Sequence, residues 1–177
     1  MVISACMNTN PVMIYFGQEL GEKGMDEEGF SGRDGRTTIF DYWTVDTIRR
    51  WRSGGKFDGK MLTKEEKKLQ SFYSTLLNLC NKEKAICEGV FFDLTYANLE
   101  GIIFNEHRQY AFFRKAGKDL LFIIVNFDEK PAAPCVKIPT HAFDYLGIPF
   151  KDSYKAKDLL TGNTETLIMA PDQCTKI

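Results

Sequence analysis

The chain has 177 residues, 44% of them hydrophobic and 13% aromatic, with a formal net charge of −1. That composition belongs to a core-forming globular protein, and the near-neutral charge lacks the basic footprint of a nucleic-acid binder. No stretch approaches the ~20 apolar residues of a membrane helix, so neither nucleic acid nor membrane is expected as a partner.

The first element in chain order is an apolar run from Pro11 to Phe16, ended by Gly17 and followed by Gln18, Glu19 and Glu22. An apolar run without alternation suits a strand buried on both faces, as in a parallel sheet. Polar residues just past the carboxyl end of such a strand are where α/β barrels keep their active-site loops. Only ten residues precede the run, so its parallel neighbours are expected outside this sequence. A lone strand must find a partner for its backbone, and self-association through the orphan strand is one way to supply it.

Residues 17–60 form a polar, glycine-rich connection carrying Phe40, Tyr42 and Trp43. It ends in a short helical piece with Val45, Ile48 and Trp51, and Asp46 near its start suits the helix dipole. Thr63-Lys-Glu-Glu66 has the pattern of a capping box and predicts the start of a longer helix. Leu69, Phe72, Tyr73, Leu76, Leu79 and Cys80 then recur at helical spacing, a stripe that faces a core, and Asn81 and Lys82 mark the end.

From about residue 90 the pattern changes to strands. Val90–Tyr96 is aromatic and β-branched, and Tyr110–Lys115 and Leu120–Phe127 flank Ala116-Gly-Lys-Asp119 as a hairpin. Prolines bracket Cys135–Ile138, so that strand is short and edge-like. Thr140–Leu146 reads as a helical turn or loop, and Tyr154–Leu160 and Thr164–Met169 flank Thr161-Gly-Asn163 as a second hairpin. Short strands separated by turns suit an antiparallel sandwich.

The segments NPVMIYFGQELGE and GRDGRTTIFDYW together resemble the eighth barrel strand and following loop of the α-amylase clan of glycoside hydrolases. The helix from Thr63 and the strand-rich remainder, including YAFFRKAGKDLLFIIVNF and KAKDLLTGN, are similar to that family's final barrel helix and carboxy-terminal β-sandwich. The resemblance implies an α+β chain. Residues 1–84 would be the remnant of the last β/α unit of a TIM barrel, and 85–177 an antiparallel all-β sandwich. It also implies a parent acting on α-linked glucans such as starch by retaining hydrolysis, with transglycosylation, isomerisation and branching as the clan's other chemistries. A non-catalytic glucan-binding or interaction module is the alternative, with the sandwich otherwise covering and stabilising the barrel.

Retaining hydrolysis needs two carboxyl groups ~5–5.5 Å apart. In the family these follow the fourth and fifth barrel strands, with a supporting aspartate after the seventh. The resemblance therefore implies that no catalytic residue lies in this chain, which alone is expected to be inactive. Asp26, Glu27 and Glu28 read as solvated loop charge. Gln18 and Glu19 match the family's barrel-rim segment, where the glutamate supports the wall of the site, with Arg33 or Arg36 as its counter-charge. Asp34 and Arg36 resemble a pair that some relatives place on sugar hydroxyls, and Tyr42 and Trp43 offer aromatic faces. These four, Gln18, Glu19, Asp34 and Arg36, are the substrate-binding candidates.

His107 and His141 lie far apart with no metal-ligand spacing, so no metal or cofactor is expected. Five cysteines without CxxC spacing read as buried thiols, a reading that leans towards a reducing, cytoplasmic compartment.

Overall fold

The computed structural model describes residues 1–22, 45–99 and 103–177. The chain divides into two units, one formed by Val12–Leu77 and the other by Met1–Pro11 together with Asn78–Ile177. Five α-helices are described: α1 (Val2–Cys6), α2 (Asp46–Arg52), α3 (Lys64–Lys82), α4 (Lys84–Cys87) and α5 (Thr140–Leu146). The strands are β1 (Val90–Asp93), β2 (Gln109–Ala116), β3 (Asp119–Asn126), β4 (Cys135–Lys137), β5 (Tyr154–Lys157), β6 (Thr164–Leu167) and β7 (Cys174–Lys176).

In the unit Val12–Leu77, the apolar run that reads as a buried barrel strand forms no strand. Residues 11–16 join no ladder, and Met13 is 82% exposed. No closed barrel is present among the described residues. The physical reason is backbone satisfaction: without neighbouring strands, burying this run would leave its N–H and C=O groups dry. The run instead leads into a short 3-10 helix, Gln18–Leu20, and only Leu20 is fully packed away there.

The capping-box expectation is met atom by atom. The Glu66 amide donates to Thr63 Oγ1 at 3.2 Å, and the Thr63 amide donates to Glu66 Oε2 at 2.8 Å. The same carboxylate takes a forked contact from Arg50 of α2, with Nε at 3.0 and 3.1 Å from its oxygens and Nη2 at 2.5 Å. One side chain thus satisfies a helix terminus and ties two helices together. Of the predicted stripe, Tyr73 and Leu76 are the most deeply buried, and they pack in a unit whose core also holds Leu20, Val45 and Leu62.

The hydrogen bonds from Arg50, then the Thr63 amide, hold the Glu66 carboxyl below its ordinary range, with burial opposing them. A depressed folded-state value means stability that is present above the unfolded pKa and lost as pH falls through the folded one. We therefore expect a Glu66→Gln variant to lose less stability than the parent protein between about pH 5 and pH 3. Urea midpoints across that range measure it. Parallel curves for the two proteins would show that Glu66 is not depressed.

The second unit carries an antiparallel sheet in the order β1-β2-β3 and two separate pairs, β4-β7 and β5-β6. The hairpin β2-β3 pairs Phe113 with Phe122 and closes Ala116 on Asp119. Gly117 sits in that turn at φ +56°, the positive value a two-residue hairpin turn takes at its first position. Among the described residues, the span 85–177 is therefore strand-rich and antiparallel, but the strands there fall in three small sheets and a helix helps to fill the core. That core comprises Leu94, Phe104, Ala111, Phe113, Val136, Ile138, Ala142, Phe143, Leu146, Ile148 and Met169.

β2 is central because both its faces are covered, with Ala111 and Phe113 in the main core and Phe112 and Arg114 equally inaccessible on the opposite face. On that opposite face the chain packs too closely for a Cβ at position 89. An alanine methyl there would lie 2.2 Å from Ala85 O and 2.8 Å from Lys115 O, so only glycine fits. Arg114 is 2% exposed and donates to three main-chain carbonyls: Nε to Ala85 O at 3.0 Å, Nη2 to Ile86 O at 2.7 Å and Nη1 to Met7 O at 3.2 Å. Burial pulls the guanidinium below its ordinary value.

The short strand β4 is shielded on its open edge by a side chain. Asn98 Oδ1 accepts from the Lys137 amide at 2.7 Å, and Asn98 Nδ2 donates to Lys137 O at 3.0 Å. A carboxamide has the donor and acceptor of a peptide unit, so it stands in for the missing neighbouring strand. The thiol reading of the cysteines requires correction, since Cys135 and Cys174 are joined in a disulfide across β4 and β7 while Cys6, Cys80 and Cys87 are free. Strand pairing brings the two together across 39 residues of sequence, a proximity that spacing rules cannot reveal.

Candidate functional site

α5 positions one side of the site. Its residues Ala142, Phe143 and Leu146 are buried, so His141, Asp144 and Tyr145, at i, i+3 and i+4, occupy the opposite, exposed face. The helix is held at both ends. The Asp172 carboxylate accepts the Thr140 amide at 3.3 Å and the Thr140 hydroxyl at 2.5 Å, and the Gly147 amide returns to Asp144 O and Phe143 O. The hydrogen bond from Thr140 holds the Asp172 carboxyl below its ordinary range.

β1 and the 3-10 helix after it, Thr95–Asn98, supply the other side. Phe92 lies opposite Phe113 in the sheet register, which fixes its backbone against the core. The Asp93 carboxylate turns the chain out of the strand by accepting the Thr95 amide at 2.8 Å, an Asx-type turn. Tyr96 then stands beside α5, its hydroxyl 2.5 Å from His141 Nε2.

Together these elements form an open hollow of about 630 Å³ lined by Phe91, Phe92, Asp93, Tyr96, His141, Asp144 and Tyr145. The rings form a continuous group. Phe92 lies 5.4 Å from the His141 ring, 5.8 Å from Tyr145 and 6.4 Å from Tyr96, centroid to centroid. Tyr96 is 47% exposed and Tyr145 64% exposed. Burial, reinforced by the charge of Asp93, pushes the Tyr96 phenol above its ordinary value, so it remains a neutral hydroxyl at physiological pH and partners His141 as such.

Aromatic faces beside carboxylates and a phenol–imidazole pair can stack on an amphipathic ring and hydrogen-bond its hydroxyls. No known family model matches this chain, and no curated protein matches it either. The site therefore has to be read from its own chemistry.

The sequence-derived candidates lie elsewhere. Gln18 and Glu19 fall in the 3-10 helix of the other unit. Gln18 bridges that unit internally, Nε2 donating to Tyr73 Oη at 3.1 Å and Oε1 accepting the Tyr15 amide at 3.1 Å. Glu19 is partly exposed in the first turn of that helix. Asp34 and Arg36 lie outside the described residues, as do Asp26, Glu27, Glu28, Arg33, Phe40, Tyr42 and Trp43. Among the described residues no group of three or more histidine, cysteine, aspartate or glutamate side chains converges as a metal site, and no helix is long and apolar enough to cross a membrane.

Sequence reasoning missed the hollow because Val90–Tyr96 reads as a plain strand and His141 as an isolated histidine. One signal was present: His141, Asp144 and Tyr145 share helical spacing opposite the apolar Ala142, Phe143 and Leu146.

Proposed function

We propose that this chain is a non-catalytic, α-glucan-binding carboxy-terminal part of an α-amylase-like glycoside hydrolase. The observation that carries this reading is the ring group of half-buried Phe92 and exposed Tyr96 and Tyr145 beside Asp93, Asp144 and His141. Contiguous exposed aromatic surface is a mark of contact sites, and pyranose rings present apolar C–H faces with a hydroxyl rim that suits this set. The resemblance of the segments around Gln18 and Tyr42 supplies the class of polymer, α-linked glucose. The remnant of a barrel's last β/α unit and the sandwich belong to the same proposal, with the hollow added to the sandwich's covering role.

Calorimetric titration with maltoheptaose tests the binding. Saturating heat at modest ligand concentration is expected, weakened ~5-fold by Tyr96→Ala or Tyr145→Ala, since a ring contact of this kind contributes on the order of 1 kcal/mol. Absence of heat into the millimolar range, or unchanged affinity in both variants, would remove the glucan-binding reading. A second experiment addresses catalysis. The purified chain is expected to release nothing from a nitrophenyl maltooligosaccharide, and turnover abolished by Asp93→Asn or Asp144→Asn would overturn the non-catalytic assignment.

A further inference from the structure

The amino-terminal helix α1 spans only five residues, Val2–Cys6, too short to persist by its own hydrogen bonds. Its carboxyl end is nevertheless held at two points within its unit. Arg114 donates to Met7 O at 3.2 Å, and the Cys80 thiol, near the end of α3, donates to Ala5 O at 3.3 Å. Cys6 is 3% exposed, and its sulfur lies 4.0 Å from that of Cys80, which is partly accessible to solvent. The third free thiol, Cys87, is exposed and directed at the Cys80 carbonyl oxygen at 2.9 Å.

We propose that Cys6 and Cys80 form a reversible dithiol–disulfide couple that locks α1 onto the end of α3 when oxidised. The inference is independent of the glucan reading, since none of its residues line the aromatic hollow. The chemistry is exchange with a low-molecular-weight disulfide such as oxidised glutathione. Cys80, the more accessible thiol, loses its proton to solvent and its sulfur attacks the small disulfide, whose S–S bond breaks to release one thiolate that takes up a proton. Cys6 then loses its proton, attacks the Cys80 sulfur and displaces the second small thiol. Two protein thiols are oxidised to one S–S bond while one small disulfide is reduced to two thiols.

Closing the pair to the ~2.05 Å of a disulfide requires each sulfur to move by about 1 Å, a side-chain adjustment. Burial pushes Cys6 up to about 12 and raises Cys80 as well. Thiolate is the attacking species, so the exchange is slow at neutral pH and accelerates as pH rises. The charge of Arg114 works in the opposite direction at Cys6, favouring the thiolate over which the exchange proceeds.

The test is equilibration of the full chain in glutathione buffers of increasing oxidation, followed by intact mass and acid-quenched peptide mapping. The expected product is ~2 Da lighter than the starting protein, carries a Cys6–Cys80 cross-link, and melts ~5 °C or more higher than the dithiol form. The cross-link persists in Cys87→Ser and disappears in Cys80→Ser, whose partly accessible position tolerates the change. Glutathione adducts at Cys80 that never resolve onto Cys6, or a Cys80–Cys87 link in place of Cys6–Cys80, would overturn the proposal.

Discussion

Arg114→Ala is expected to destabilise the unit built on Asn78–Ile177 by ~3–5 kcal/mol, a large part of the stability of a small domain. The argument starts from what the guanidinium touches. Its three recipients are the carbonyls of Met7, Ala85 and Ile86, and the side chain itself is 2% exposed. Truncation leaves a cavity and removes the donors of all three carbonyls, and a buried carbonyl without a donor costs ~1–3 kcal/mol. Relief from the desolvation of the cation offsets part of this but does not reverse it, because the side chain's volume is also lost. Arg114→Lys keeps the charge without the planar fork, so it recovers only part of the loss. Urea midpoints followed by circular dichroism give the magnitude. Amide exchange supplies the specific signature, since α1 should lose protection as its anchor at Met7 goes. A change below about 1 kcal/mol in Arg114→Ala would mean that water already serves these carbonyls.

Phe113→Ala is expected to cost a similar amount, ~3–5 kcal/mol, for a different reason. Phe113 is wholly inaccessible, lies 4.8 Å from Phe122 across the hairpin and forms part of the cluster that also holds Phe143 of α5. The methyl group left by truncation cannot fill the space between sheet and helix, and dense interiors relax only partially. Phe113→Leu, which keeps most of the volume, should cost well under half as much. The same denaturation experiment decides it. Equal losses for the two variants would point to the tilted ring contact with Phe122 rather than to lost volume. Because α5 carries His141, Asp144 and Tyr145 on its outer face, Phe113→Ala should also weaken maltoheptaose binding at temperatures where the protein is still folded.

Local signals proved readable where a short stretch of chain carried all the information. Thr63 and Glu66 specify the start of α3 because the cap closes within one turn. Ala116-Gly-Lys-Asp119 specifies the β2–β3 turn because hairpin geometry depends on two central residues. The apolar run 11–16 shows the limit of that approach. Its composition is that of a buried strand, but composition names a preference and not a partner, and among the described residues no ladder receives it. The disulfide is the same lesson in reverse. Nothing in the spacing of Cys135 and Cys174 predicts their meeting, which follows from antiparallel pairing of β4 with β7.

The candidate site was less legible than the fold for a related reason. Its residues come from two segments some 45 positions apart, joined at the contact of Tyr96 with His141. Each segment looks ordinary alone. The buried Arg114 was hidden similarly, because a charge within an aromatic strand reads as solvent-facing until the opposite face of the sheet is found to be covered.

By itself, then, the order of amino acids determined the boundaries of α3, the hairpins and the α+β character, since hydrogen bonding and periodicity within a few residues suffice for these. Tertiary structure alone decided which rings share the hollow, which cysteines meet and which cation is buried. Those outcomes depend on distances between segments remote in sequence, and distance is set by packing once the chain has closed on itself.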